Sequence, residues 1–221
     1  GPDGKMYFPV GAPCNVCEEE EIFATLLRMD LDGGKLEIVA KGIRNTVGFD
    51  WHPVTGEIWF TDNGRDMLGD DLPACEINRI TSIGQHFGFP YIHQGDLPDP
   101  DFGRGKTFND YRAPVLKLEA HVAPLGMVFY RGASFPESFN NTLFWAEHGS
   151  WNRRAKSGYR VMMGRINNDN SEITENAPFV HGWLQGQSNW GRPVDVLNMP
   201  DGSILISDDM ANVIYRVTYD G

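Results

Sequence analysis

Apolar and polar residues alternate in short runs along this chain, and the runs come in pairs separated by turn residues. Phe49 and Trp51 alternate with polar neighbours in one run, Ile58 and Phe60 in the next, with Pro53 to Gly56 between them. That is a β-hairpin signature. The pattern recurs. Pro2-Asp3-Gly4 leads into M-Y-F-P-V, Pro200-Asp201-Gly202 into S-I-L-I-S-D, and Asn140-Asn141 into T-L-F-W-A-E. Apolar runs at Val47–Trp51, Leu125–Tyr130 and Pro193–Leu197 precede three of these four units. Ala24–Leu31, Tyr159–Ile166 and Val213–Val217 alternate as outer strands. No stretch holds a helical period over three turns, and only Glu18–Phe23 reads as a single helical turn.

Turn-and-strand units repeating every ~40–80 residues, about four short strands to each, predict an all-β fold of the β-propeller kind. An unrelated β-sandwich is the alternative. The recurrence of polar residues at one strand end favours the propeller, where those ends ring the channel on one face. The chain opens at Gly1-Pro2-Asp3-Gly4 as though inside a blade. The expectation is a single propeller domain over residues 1–221, truncated at its N-terminus.

Composition narrows the function. Hydrophobic residues at 41% and aromatics at 12% supply a core, and the formal charge of −11 repels phosphate backbones, which argues against nucleic acid. No apolar run approaches the ~18–20 residues of a membrane helix, so no membrane span is expected. Cys14 and Cys17 form one C-x-x-C, and Cys75 stands alone. One such pair is a weak zinc signal, and no βαβ unit is near to make it a redox motif. It reads as a short disulfide stapling a loop, which requires an oxidising compartment.

Candidate chemistry gathers at the strand ends: Arg44 and Asn45, the acid-rich loop from Asp62 to Asp71, His121, the segment from Glu147 to Arg154, Arg192, and Asp208-Asp209. Arg44, Arg192 and one of Arg153 or Arg154, converging on one face, would bind a multiply anionic ligand. Oxygen donors between Asn63 and Asp71 suit Ca²⁺, although the spacing is not that of an EF-hand. Asp62 also reads as a turn cap and Asp208 more readily so, His52 as a turn residue, and Arg79 and Arg216 as surface ion-pair partners. The loop-rich insertion from Gly84 to Lys106 carries aromatics that either wall a cleft or pack down the loop.

These residues lie in longer motifs. They include G-P-D-G-K-M-Y, C-N-V-C, G-I-R-N-T-V-G-F-D-W-H-P, T-D-N-G-R-D-M-L-G-D-D-L-P, A-P-L-G-M-V-F-Y, F-W-A-E-H-G-S-W-N-R and G-R-P-V-D-V. Through them the chain resembles, nearly end to end, the glucose/sorbosone dehydrogenases, soluble quinoproteins that use pyrroloquinoline quinone (PQQ), with the sorbosone branch nearest. The resemblance implies a six-bladed propeller of which this chain is roughly the last four blades, with PQQ on the channel face. It implies cofactor contacts from Arg44, Asn45, Asn63, His121 and Arg192, His121 standing where the glucose enzymes use Thr. It implies Ca²⁺ on the backbone carbonyls of Gly64 and Arg65, which with Asn63 match the family's Gln-Gly-Pro. The family's catalytic base is a His shortly before the first G-P-D-G. That position falls upstream of Gly1, so no catalytic base is expected in this chain. Cys75 replaces the acidic residue expected beside Glu76.

The implied reaction is sugar oxidation. Calcium and the arginines polarise the quinone C5 carbonyl, and the upstream His takes the hydroxyl proton while hydride passes to C5. An aldose or sorbosone-like sugar aldehyde becomes a lactone or acid, and an external acceptor such as a cytochrome or quinone takes the electrons. The implied location is periplasmic or extracellular. Two rivals use the same face: a calcium-dependent propeller lactonase without quinone, and a non-catalytic propeller binding glycan or protein.

Overall fold

Strands of three to eight residues account for nearly all the regular structure in the computed structural model, which describes residues 1–221. They form four successive antiparallel sheets, the blades of a β-propeller. The first blade holds β1 (Met6–Val10), β2 (Thr25–Met29) and β3 (Glu37–Lys41), with Gln85–His86 of the insertion added in parallel at its edge. The second runs β4 (Phe49–Trp51), β5 (Ile58–Asp62), β6 (Ala74–Ile80) and β7 (Leu116–Ala120). The third runs β8 (Pro124–Phe129), β9 (Leu143–Glu147), β10 (Arg160–Ile166) and β11 (Ile173–Val180). The fourth has β12 (Pro193–Asn198), β13 (Ile204–Asp208) and β14 (Val213–Val217).

The two-residue period explains how the blades stack. On β5 every residue is buried, and alternate side chains serve opposite faces. Ile58 and Phe60 join Leu26, Val39 and Phe87 in a core between the first and second blades. Trp59 turns the other way, to Met127, Phe129 and Trp145, in a core between the second and third. β9 repeats the arrangement: Leu143 and Trp145 face back, while Phe144 and Ala146 face forward to Val196, Ile204 and Ile206. Each inter-blade core is therefore closed by the next blade, which is why the strand sequences read as apolar on both faces.

Glycine sets the closest approach of the inner strands. A Cβ at Gly48 would run into the main chain of Leu125 and Met127, and one at Gly126 into Asp195. With those side chains absent, Thr61 Oγ1 donates to the Leu125 carbonyl at 2.8 Å and ties the second blade to the third.

The predicted hairpins are present, and Val213–Val217 has the predicted bounds. Glu18–Phe23 is not helical; a hydrogen-bonded turn from Phe23 N–H to Glu20 O closes it instead. The insertion packs down: Phe87, Phe89, Ile92 and His93 are buried. His52 is a buried turn residue whose Nδ1 accepts from Val54 and Thr55 N–H. Arg79 pairs with Glu57 at 3.1 Å and Arg216 with Asp201, as surface pairs.

Candidate functional site

Asp62 is the last residue of β5, and its buried carboxylate faces the chain that leads into β4. It accepts the main-chain N–H of Arg44 at 3.0 Å and that of Asn45 at 2.7 Å. The Arg44-Asn45 corner is thereby fixed at the channel end of the second blade. Asn63 continues the link, because its Nδ2 donates to the carbonyls of Asn45 and Pro124, both at 3.0 Å.

The fourth blade repeats the device. Asp208 ends β13, is buried, and accepts the main-chain N–H of Arg192 at 2.9 Å through Oδ1. Both arginines then turn into one open cleft of about 400 Å³. Asn45, Asn63, Gly64, His121 and Trp151 line it as well.

Each guanidinium is oriented by main-chain carbonyls. Arg44 Nη1 donates to Asn63 O at 3.2 Å and to Gly64 O at 3.0 Å, and Nε donates to Asn15 O at 2.9 Å. Arg192 Nε donates to His148 O at 3.0 Å and Nη2 to Gly149 O at 2.7 Å. Arg192 makes no ion pair, and the Arg44 guanidinium has only a long one, to Asp66 at 3.9 Å. Two cations hydrogen-bonded to dipoles, with no carboxylate at hydrogen-bonding distance, leave charge available to an anionic ligand.

His121 sits with φ +66° and bridges two parts of the acidic loop. Nε2 donates to Gly69 O at 2.8 Å, and Nδ1 faces Asp66 Oδ1 at 3.4 Å. Arg65 does not reach the cleft; its guanidinium is buried in an ion pair with Asp99, which also accepts from His93 Nε2 at 2.8 Å. Burial alone would raise the Asp99 carboxyl, but hydrogen bonds from His93, the Phe102 and Asp101 N–H groups and Arg65 outweigh it and hold it at about 2.

The third arginine expected here is absent from the cleft lining. Arg153 pairs with Asp71 at 2.9 Å and Glu119 at 3.2 Å, and Arg154 pairs with Asp70 at 2.8 Å. The acids of the loop therefore bind arginines of the third blade, and this contact draws the loops together beside the cleft.

Behind the wall, Asp62 stands directly opposite Glu76 on β6. Burial raises both carboxyls, and mutual repulsion adds to it in Glu76. Cys75 lines the cleft but is buried, and its thiol is pushed up to about 11 by burial, which makes it a poor nucleophile.

Sequence reasoning overlooked Asn15, which lies between the disulfide-bonded Cys14 and Cys17. Its Oδ1 accepts from Arg44 Nη2 at 3.2 Å and from Asp66 N–H at 2.8 Å, while Nδ2 donates to Asp66 O at 3.0 Å. Its place inside C-N-V-C was the one available signal.

A cofactor with several carboxylates fits this lining: two arginines free of carboxylate partners at hydrogen-bonding distance, on two different blades, face one cleft. Calcium on Gly64 does not fit the arrangement, because the Gly64 carbonyl already accepts from the Arg44 guanidinium. No three His, Cys, Asp or Glu side chains converge to hold a metal.

The family model described as glucose/sorbosone dehydrogenase matches residues 27–213. A protein of Borreliella burgdorferi described as uncharacterized is 44% identical over 220 residues, covering 99% of this chain and 58% of that protein. This chain thus spans little more than half the length of that relative. Among solved structures, a calcium structure of a Trichoderma reesei protein of carbohydrate-active enzyme family AA12 is similar, with a TM-score of 0.80 at 17% identity. The match covers 96% of this chain and 64% of that one. The holo form of the PQQ domain of pyranose dehydrogenase from Coprinopsis cinerea gives 0.78 at 19% identity, covering 98% and 67%. The apo form of the soluble aldose sugar dehydrogenase from Escherichia coli gives 0.70 at 19%, covering 98% and 61%. At these identities the likeness bears on the fold, a β-propeller of the six-bladed kind of which this chain forms four blades.

Proposed function

This chain belongs to the glucose/sorbosone dehydrogenase family, and from that premise we propose that its cleft holds PQQ and serves the oxidation of a sugar hydroxyl. The observation that carries the proposal is the pair Arg44 and Arg192. They come from blades two apart, face one cleft, and are anchored by main-chain carbonyls rather than by carboxylates.

In this reading Arg44 and Arg192 receive carboxylates of the cofactor. Asn45 and Asn63 form the floor between them, and His121 closes the side against the acidic loop. When bound, the quinone supplies a two-electron acceptor for a C–H bond of the sugar. The exposed Trp151 ring at the cleft offers a stacking surface for a sugar face. His121 is held between Gly69 O and Asp66 and is assigned to binding. The Gly64 carbonyl, already taken by the Arg44 guanidinium, does not favour calcium there.

An aldose or a sorbosone-like aldehyde is the proposed substrate, with a lactone or acid as product and an external acceptor taking the electrons. No helix is long and apolar enough to cross a membrane. The Cys14–Cys17 disulfide supports a periplasmic or extracellular setting. The lactonase alternative leaves the two arginines without a role.

The test is spectroscopic. The protein at its natural length is titrated with PQQ, and its absorption is recorded before and after addition of an aldose or sorbosone. A stoichiometric quinone band that bleaches with sugar is the expected result. A well-folded protein that takes up no quinone would sink the proposal.

A further inference from the structure

Asp62 and Asp208 occupy the same place in two blades, the last residue of the second strand, and both are buried without an ion pair. Each accepts the main-chain N–H of the arginine that enters the cleft. The blade between them shows what happens when that arginine is missing. Glu147 ends β9 opposite Pro124, as Asp208 ends β13 opposite Pro193. The residue before Pro193 is Arg192, whereas the residue before Pro124 is Ala123. Glu147 makes no bond to that segment and instead takes the Arg160 guanidinium of β10 at 2.7 Å. Where the cleft receives an arginine, the strand-end carboxylate holds that arginine's backbone; where it does not, a neighbouring strand neutralises the carboxylate.

The structure assigns Asp62 and Asp208 as positioning residues that fix the backbone of Arg44 and Arg192, so that both guanidiniums face an anionic ligand in the cleft. This assignment rests on the cofactor reading above. Its physical basis is preorganisation. An arginine side chain has many rotamers, and fixing its Cα and its carbonyl partners leaves fewer of them to freeze on binding. The charge contributes too: a buried carboxylate behind each arginine, bonded only through N–H and O–H donors, adds an attractive field that keeps the cation seated.

The test compares D62A, D208A, D208N and E147Q with the wild type at natural length. Tryptophan-fluorescence titration with PQQ gives Kd, and thermal unfolding is recorded in parallel. The alanine variants are expected to weaken binding by about 10–100-fold, the range known for outer residues that orient a metal's ligands. D208N keeps an acceptor oxygen for Arg192 N–H and is expected to recover most of the affinity. If D62A fails to fold, D62N keeps one of the two acceptor oxygens that hold Arg44 and Asn45 N–H and is expected to bind between the wild type and D208A. E147Q is expected to bind as the wild type does. Alanine variants that bind normally while the wild type takes up quinone would overturn the positioning role alone. Losses of affinity that track Tm across all variants, E147Q included, would reduce the two aspartates to fold stability and overturn it as well. A wild type that binds no quinone removes the cofactor reading and this assignment with it.

Discussion

Arg44 Nη1 lies 3.0 Å from the main-chain oxygen of Gly64, so a guanidinium already sits on the carbonyl where the family resemblance expects calcium. A cation of fixed charge on that oxygen opposes a second cation there. The same guanidinium bonds Asn63 O, and Asp66 is 3.9 Å away. Arg44→Ala therefore uncovers two carbonyls beside a carboxylate, all hard oxygen donors. In isothermal titration of the quinone-free protein, R44A is expected to bind Ca²⁺ about tenfold or more tighter than the wild type. Equal or weaker binding would mean that Arg44 does not block the metal.

The Asp62–Glu76 pair gives the fold a pH dependence of definite sign. Both carboxyls are raised in the folded state, by burial and, in Glu76, by repulsion from Asp62. A raised carboxyl stabilises the fold fully below its unfolded value of about 4, and that stabilisation is lost as pH rises through the folded value. Tm is expected to fall between pH 5 and pH 9. Glu76→Gln removes one charge and should flatten the fall, raising Tm at the alkaline end. The replacement can be accommodated, because Asn78 now donates to Glu76 and its own Oδ1 has no partner. Thermal unfolding of E76Q across the range checks both points; a slope equal to that of the wild type would remove the pair from the explanation.

The disulfide of C-N-V-C acts on the cleft through Asn15. Closing a four-residue loop stabilises the fold by about 2 kcal/mol in the chain-entropy picture. Its local effect on the site is the more specific one, because Asn15 holds Arg44 at Nε and Nη2 and holds Asp66 at both main-chain groups. The double substitution C14S/C17S is expected to weaken quinone binding about tenfold. Asn15→Ala with the disulfide intact should reproduce that loss with a smaller change in Tm. An N15A protein that binds as the wild type does would confine the disulfide to stability.

The sequence showed the hairpins and the cleft-facing residues, but little of how they are held. Phe49–Trp51 and Ile58–Phe60 were legible because a turn separates two alternating runs. β6 was not, since A-C-E-I-N-R-I carries Glu76 and Asn78, polar residues buried because they bond each other and Gln94 N–H. β11 escaped because I-T-E-N-A-P-F-V lies at an outer edge, with several exposed positions and a proline. Arg44, Asn45, Asn63, Gly64, His121 and Arg192 all line one cleft. The error over Arg153 and Arg154 has a simple cause. Adjacent arginines look like a free cationic cluster until folding brings Asp70, Asp71 and Glu119 beside them, and no local pattern announces contacts 34 to 84 residues apart.

Asp99 offers the sharpest test of what supports the acidic loop. Its side chain is fully buried between Arg65 and His93, and its Oδ2 contacts both. Asp99→Asn leaves the Arg65 guanidinium buried without a counter-charge, which costs about 3–5 kcal/mol in comparable buried pairs. The cost should appear in denaturant unfolding as a lower midpoint with an unchanged slope. Acid should expose the same dependence. Because Asp99 is held at about 2, its stabilisation is present above its unfolded value of about 4 and is lost as pH falls toward 2. D99N should therefore lose less stability between pH 5 and pH 2 than the wild type, although it starts lower. The loop that Arg65 anchors also carries Gly64 and Asp66, both of which line the cleft, so quinone affinity should fall with it. If D99N keeps wild-type stability at pH 7, the ion pair does not anchor the loop.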